Sequence, residues 1–195
     1  MANKEKPIYL RPWVWVVAII LIAGLWMWGS YNSFVTMSQN IDGQWAQVET
    51  QYQRRIDLIP NLVNSVKGYM QFEQSLLEEI TSLRSGWISS ASVEDKVNYG
   101  NALDSALGRL LVVYENYPEL RSVETVSSLM DELAGTENRI AVERSRYNDA
   151  VRQYNTAIKM FPNVLIAGAF GFNQRTYFEA MEGADIAPQV NLTVA

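Results

Sequence analysis

The chain has 195 residues, of which 48% are hydrophobic and 19% are charged, and its formal net charge is −5. These values fit one folded domain with additional segments, and they exclude a disordered chain or a transporter with many spans. The chain contains no His and no Cys, which excludes Ser-His-Asp and Cys-His nucleophiles and the ordinary zinc sites. All-carboxylate sites and a Ser-Lys dyad stay open, but adjacent acids such as Glu78 and Glu79 diverge around a helix. We therefore predict no catalytic residue, no metal and no cofactor.

An uncharged segment lies near the N-terminus, with no charge between Pro12 and Ile41. A helix needs about 20 mostly apolar residues to cross roughly 30 Å of hydrocarbon. We predict a short basic tail at 1–11 and a transmembrane helix at 12–30 that contacts the lipid bilayer. A cleaved signal peptide is the alternative, but it favours small residues where this segment ends in bulky ones. An aromatic belt would anchor the helix through Trp13, Trp15, Trp26 and Trp28.

The charges that flank this segment predict its orientation. Lys4, Lys6 and Arg11 precede it, and the first cation after it is Arg54. The positive-inside rule therefore favours a cytoplasmic N-terminus, with the rest of the chain on the periplasmic or extracytoplasmic side of a bacterial inner membrane.

A heptad repeat of apolar residues runs from Tyr31 to Trp87. Seventeen a and d positions fall in this run, and fourteen are apolar or aromatic; the exceptions are Ser38, Arg55 and Glu73. Such a seam keeps its apolar side chains on one face of a helix that packs against other helices. Because the register is the same on both sides of Pro60, we favour one continuous helix with a kink at Pro60 over two helices.

Two further helical stretches follow. Ser92 or Ser90 would cap the first of them, with Glu94 and Asp95 in its first turn, and Pro118 would end it. The second starts near Glu119 or Val123 and ends before Pro162. No alternating pattern predicts a strand. The predicted class is all-α: a transmembrane helix, then an antiparallel three- or four-helix bundle at 31–161.

The C-terminal part has an apolar, glycine-containing segment at 162–182 and a loose tail at 183–195. One interpretation folds this segment back over the bundle. The other is a contact with lipid or with another copy of the chain, in which the glycines allow close approach of backbones. The residues proposed for that contact are Leu165, Gly168, Phe170, Gly171 and Phe172.

The large soluble part is acidic. Beyond residue 30 it holds 13 basic and 20 acidic residues. Such a surface repels phosphate backbones, so nucleic acid is excluded as a partner.

Charged residues inside the apolar seams predict an ion pair. Arg55 occupies a seam position in the first helix and Glu143 in the last, and an unpaired buried charge would cost several kcal/mol. We therefore expect Arg54 or Arg55 to pair with Glu137 or Glu143 and to fix the register of the helices. The alternative is that Arg55 reaches water at the edge of a wide seam.

Several blocks of the sequence resemble the LemA family. The most specific are RR-x-DLIPNLV-x-x-VKGY at 54–69 and TEN-x-IA-x-x-R-x-x-YN from Thr136, with Arg146 taken as the arginine of the second block. The resemblance covers roughly 31–180. It implies a membrane-anchored helical bundle with no catalytic residues to carry over.

The resemblance also bears on function. Members of this family occur near genes of membrane-bound metallopeptidases of the HtpX type, and a magnetosome relative is implicated in shaping membrane. We therefore expect a non-enzymatic scaffold that forms homo-oligomers in envelope organisation or membrane remodelling. The alternative is an adaptor or regulator of a membrane protease in envelope stress, and an enzyme is a third hypothesis.

Overall fold

The computed structural model describes residues 12–69 and 73–178, so the predicted tails at 1–11 and 183–195 lie outside the described residues. Within those ranges the chain is helical and contains no strand, which confirms the all-α class. The helices are α1 (Pro12–Val66), α2 (Gln74–Ser89), α3 (Val93–Asn116), α4 (Pro118–Arg121), α5 (Glu124–Lys159) and α6 (Asn163–Phe170).

Helix α1 continues through Pro60, as the constant heptad register predicts, while the kink at that residue stays a prediction. The prediction of one helix as far as Trp87 is wrong, because α1 ends at Val66. There the amide of Tyr69 donates to the carbonyl of Val66 at 2.9 Å in a turn that contains Gly68. The heptad pattern persists in α2 because its apolar side chains are also buried, so the pattern did not reveal the break.

The ends of the later helices follow the predicted signals. The hydroxyl of Ser92 caps α3 by accepting the amide of Asp95 at 3.0 Å. Helix α3 ends before Pro118, and α5 ends before Pro162. Of the two starts predicted for the third helix, Val123 is confirmed, since α5 begins at Glu124 and the short α4 and a turn at Ser122 precede it.

The chain divides into two compact units. The first unit comprises the residues up to Gly43 together with Asp149–Arg175, and the second comprises Gln44–Asn148 and the residues from Thr176 onward. The long helices α1 and α5 contribute to both. The predicted domain ranges 12–30, 31–161 and 162–182 group the residues differently and remain a prediction about organisation.

The second unit is a four-helix bundle in which α2 and α5 run antiparallel to α1, and α3 runs parallel to it. Tyr52 of α1 stacks on Trp87 of α2 at 5.8 Å between ring centroids. A Cβ on Gly100 of α3 would lie 2.9 Å from the Tyr52 ring, so glycine is needed there for the two helices to approach. The seam positions of α1 are buried in this core, including Val48, Tyr52, Arg55, Ile59, Leu62 and Val66.

In the first unit, α6 packs against α1. The ring of Tyr31 lies 5.2 Å from that of Phe170, and Phe34 lies 5.3 Å from Phe172, both edge to face. Ile166, on the inner face of α6, is buried. The fold-back interpretation of this segment therefore describes its inner face.

An asparagine clamp holds the chain after α6 in each unit. In the first unit the side chain of Asn155 donates to the carbonyl of Arg175 at 2.8 Å and accepts its amide at 2.9 Å. In the second unit Asn148 does the same for Phe178, at 2.9 and 2.7 Å. A side-chain amide can satisfy both backbone groups of an extended residue in this way.

Candidate functional site

The most distinctive feature of the second unit is a cluster of charges inside the bundle. It is built on Arg55, whose side chain is only 2% exposed. Arg55 occupies the same seam as Val48 and Leu62, so the helical period directs its side chain into the core, where an apolar residue is usual. We call Arg55, Asp104, Glu137 and Arg144 the charge cluster.

The guanidinium of Arg55 distributes its donors over two helices. Its Nε donates to the hydroxyl of Thr136 at 3.0 Å, and its Nη2 donates to Glu137 at 2.5 Å, both on α5. Its Nη1 donates to Asp104 of α3. Three nitrogens of one side chain therefore join α1, α3 and α5, which fixes how these helices align along their length.

Asp104 is the centre of the cluster. Its carboxylate also accepts a hydrogen bond from Arg144 of α5, and the Tyr52 hydroxyl donates to it at 3.0 Å. Arg144 contacts the Tyr52 hydroxyl as well and lies 4.2 Å above the ring of Phe178. When Asp104 is ionised, its carboxylate and that of Glu137 balance the charges of the two arginines, which favours keeping charges inside a bundle.

Burial changes the ionisation of two members of the cluster. It raises the pKa of the Asp104 carboxyl to about 7, while Arg55 acts in the opposite direction and Glu137 adds to the rise. Burial also lowers the pKa of Arg144 to about 10. Asp104 is therefore the member whose charge changes near neutral pH.

The structure brings together two of the four residues for which an ion pair was predicted. Arg55 and Glu137 meet in the cluster, but Arg54 is exposed and Glu143 lies 2.8 Å from Arg146, one turn further along the same helix. Arg54 precedes Arg55 by one residue, or about 100° around the helix, so the two side chains leave α1 in different directions. Of the predicted alternatives, the structure forms the pair of Arg55 with Glu137, and Glu143 pairs with Arg146.

Sequence reasoning missed Asp104 and Arg144. A signal for Arg144 was available, since counting along TEN-x-IA-x-x-R from Thr136 places the arginine at Arg144. Arg146, which was assigned to that position, is exposed and outside the cluster. Asp104 had no such signal, because an acid beside Leu103 is equally typical of the polar face of a helix.

Three residues of the charge cluster, Arg55, Asp104 and Glu137, form one wall of a groove of about 410 Å³ in the second unit. Apolar side chains of α3 and α5 line the rest of the groove, among them Leu107, Leu111, Met130 and Leu133. Within the described parts of the chain, no three acidic side chains converge in a way that could hold a metal ion. The arrangement offers packing and charge pairing.

A second groove of the same unit, of about 720 Å³, is polar. Three arginines and three acids line it: Arg54, Arg121, Arg139, Glu124, Asp131 and Glu132. None of these three arginines forms an ion pair with another described residue. We call this the arginine groove.

The residues predicted to contact lipid or another copy lie in the first unit. An 18-residue window of α1 is apolar enough to cross a membrane, and none of it is buried. The four belt tryptophans, Trp13, Trp15, Trp26 and Trp28, are exposed. In α6, Leu165, Gly168 and Phe170 are exposed, Gly171 ends the helix with a left-handed φ of 74°, and Phe172 is half-buried.

Known proteins resemble this chain over most of its length. Magnetosome protein MamQ 2 of Paramagnetospirillum magneticum is 32% identical over 189 residues, which cover 82% of this chain and 70% of that protein. Magnetosome protein MamQ of Magnetospirillum gryphiswaldense is 29% identical, with the same coverage. Protein LemA of Metamycoplasma hominis is 23% identical and covers 92% of this chain and 84% of its own length.

A family model also matches the chain, over residues 44–192. This range includes the whole charge cluster and both motifs on which the resemblance rests. Together with the apolar N-terminal half of α1, the match indicates a membrane-anchored helical protein. The chain belongs to the LemA family.

Proposed function

We propose that this protein is a non-enzymatic, membrane-anchored scaffold that forms homo-oligomers and acts in envelope organisation or membrane remodelling. The observation that carries the proposal is the contrast between the two units. In the second unit, the charge cluster joins three helices of the bundle. The first unit leaves an 18-residue apolar window of α1 unburied. A rigid bundle on an apolar anchor suits a protein that positions other molecules at a bilayer.

Assembly is the first test. The protein is extracted in a mild detergent, reconstituted in lipid nanodiscs, and its mass is measured by light scattering and by electron microscopy. We expect a discrete homo-oligomer at micromolar concentration. A monomer at that concentration, in both detergent and nanodiscs, would contradict the scaffold.

Orientation is the second test, and the absence of cysteine makes it direct. Single cysteines replace Asn3 and Ser105, and intact spheroplasts are treated with a maleimide that does not cross membranes. With a cytoplasmic N-terminus, Ser105→Cys reacts at once and Asn3→Cys reacts only after the membrane is opened. The reverse pattern would place the bundle in the cytoplasm.

The arginine groove favours a second candidate function, an adaptor for a membrane-bound metallopeptidase of the HtpX type. Arginines that form no ion pair with another described residue are available to the acidic side chains of a partner, and arginine is enriched at protein interfaces. In co-expression, the protease should then co-purify in fixed stoichiometry. Arg54→Glu with Arg139→Glu should abolish this, whereas Lys67→Glu, an exposed cation outside the groove, should not. Purification as a homo-oligomer alone would contradict the adaptor.

A further inference from the structure

The turn before α6 and the outer face of this helix carry exposed apolar side chains. Between 44 and 82% of each of these side chains is exposed: Met160 and Phe161 in the turn, and Val164 and Leu165 on the helix. No charged residue occurs from 160 to 174. Ile166 and Ala167 are buried on the opposite face of α6, so one face of this helix is packed and the other is exposed. A contiguous apolar patch of this kind marks an interaction site.

Contacts within the first unit place this patch beside the end of the apolar segment of α1. Tyr31, directly after the predicted span at 12–30, packs edge to face on both Phe170 and Phe172, at 5.2 and 5.5 Å between ring centroids. Trp26 and Gly29 of α1 line one groove with Asn163, the first residue of α6. Helix α6 is therefore attached to the last turns of α1 that are apolar enough to lie in a membrane.

We propose that α6 lies in the interface of the same bilayer that α1 crosses, with its outer face in the lipid. The inference rests on the proposed anchor. We assign lipid as the occupant because α6 lies beside the end of the proposed anchor, at Trp26 and Tyr31, and the exposed apolar surface of that anchor would lie in a bilayer. The helix lacks the Lys and Arg of a typical charged interfacial helix, so burial of apolar area drives its insertion and anionic headgroups are not needed.

This arrangement has a mechanical consequence. A helix that lies at the depth of the headgroups adds area to one leaflet only, and such binding depends on curvature. Each protomer would then combine a span with one shallow insertion. In an oligomer these insertions add up, which gives the proposed scaffold a way to bend the bilayer.

Fluorescence quenching by lipids tests the position of α6. Single cysteines replace Leu165, Phe161, Leu21 or Ser105 in the full chain, carry an environment-sensitive dye, and are reconstituted in phosphatidylcholine vesicles. Leu165, Phe161 and Leu21 are highly exposed in the structure, so the label does not disturb packing; circular dichroism and the melting temperature check this. Ser105, exposed on α3 in the second unit, is the matched control in water.

We expect lipids with a spin label near the headgroup to quench the dyes at Leu165 and Phe161 at least about twofold more than the dye at Ser105. The dye at Leu21 should be quenched best by a spin label deep in the acyl chains. Dyes at Leu165 and Phe161 that stay as unquenched as that at Ser105, while Leu21 is quenched, would overturn the inference and leave the anchor intact.

Two other outcomes also decide the matter. If the dye at Leu21 is unquenched, the proposed anchor fails and the inference fails with it. If oxidation links Leu165→Cys between two protomers and no lipid quenches the dye, a second copy covers the patch, and the assignment to lipid is overturned.

Discussion

Arg55 and Glu137 lie 82 positions apart in the sequence and form a 2.5 Å ion pair between α1 and α5. Their environments differ, since the side chain of Arg55 is 2% exposed and that of Glu137 is 54% exposed. Solvent therefore screens the carboxylate of Glu137, so this ion pair contributes little to the free energy of folding. The buried guanidinium of Arg55 nevertheless needs hydrogen-bond acceptors. Its value is geometric, because only one alignment of α1 with α5 gives the guanidinium its acceptors.

Replacement of Arg55 by Met should lower the free energy of unfolding of the second unit by about 3 kcal/mol, since the buried carboxylate of Asp104 loses one of its two arginines. Arg54→Met is the matched control on the preceding residue. It is exposed, so its effect should stay within about 0.5 kcal/mol. Urea unfolding at neutral pH measures both, and equal losses would contradict the buried role of Arg55.

Two double-mutant cycles separate the observed pair from the one that the structure does not form. Arg55→Met with Glu137→Met should give a coupling of about 1 kcal/mol, a value reduced by the exposure of Glu137. Arg55→Met with Glu143→Met should be additive within about 0.3 kcal/mol, because these side chains do not meet. Coupling to Glu143 and not to Glu137 would reverse the assignment.

The raised pKa of Asp104 predicts an unusual pH dependence. Its pKa is about 7 in the folded bundle and 3.8 in the unfolded chain, so the folded state binds this proton more tightly. The associated stability is complete below pH 3.8 and is lost as the pH rises through about 7. Over this pH range, the free energy of unfolding of the wild type should fall by up to about 4 kcal/mol relative to that of Asp104→Asn.

Carbon-detected NMR of the Asp104 carboxyl gives the same quantity directly. Arg55→Met should move this pKa further upward, because Arg55 lowers it in the native cluster. A carboxyl that titrates below pH 4 would mean that the two arginines outweigh burial, and the predicted window would disappear.

Alanine substitutions at two glycines of α3 should have opposite effects on stability. Alanine usually stabilises a helix interior by about 1 kcal/mol relative to glycine. At Gly108 a Cβ meets nothing within 4 Å, so Gly108→Ala should raise the melting temperature. At Gly100 it would lie 2.9 Å from the Tyr52 ring, and overpacking should cost about 1–3 kcal/mol. Thermal melts with the opposite order would contradict the close approach of α1 and α3.

The helical class and the buried faces could be predicted because they follow from local periodicity. Val48, Ile59 and Leu62 are buried where the heptad places them. The end of α1 at Val66 could not, because the apolar pattern resumes in α2 in the same register. A repeat reports which face is buried and is insensitive to a turn that preserves the phase.

The candidate site was only half predictable for a related reason. Arg55 stood out because it breaks an apolar seam, and its need for a carboxylate follows from electrostatics. The choice of Asp104 over Glu143 depends on how α3 lies beside α1. That packing is tertiary information, and no spacing within a single helix contains it.

The asparagine clamp of the second unit gives a last prediction. Asn148→Ala removes one donor and one acceptor from the backbone of Phe178, whose ring stacks on Tyr52 at 6.4 Å between centroids. The loss should cost about 1–3 kcal/mol and should raise the hydrogen-exchange rate of the Phe178 amide by at least about tenfold. Asn138→Ala, at an exposed position of the same helix, should leave that amide unchanged. Faster exchange in both variants would point to general loosening of α5, whereas an unchanged Phe178 amide in Asn148→Ala would mean that ring stacking alone holds this residue against the bundle.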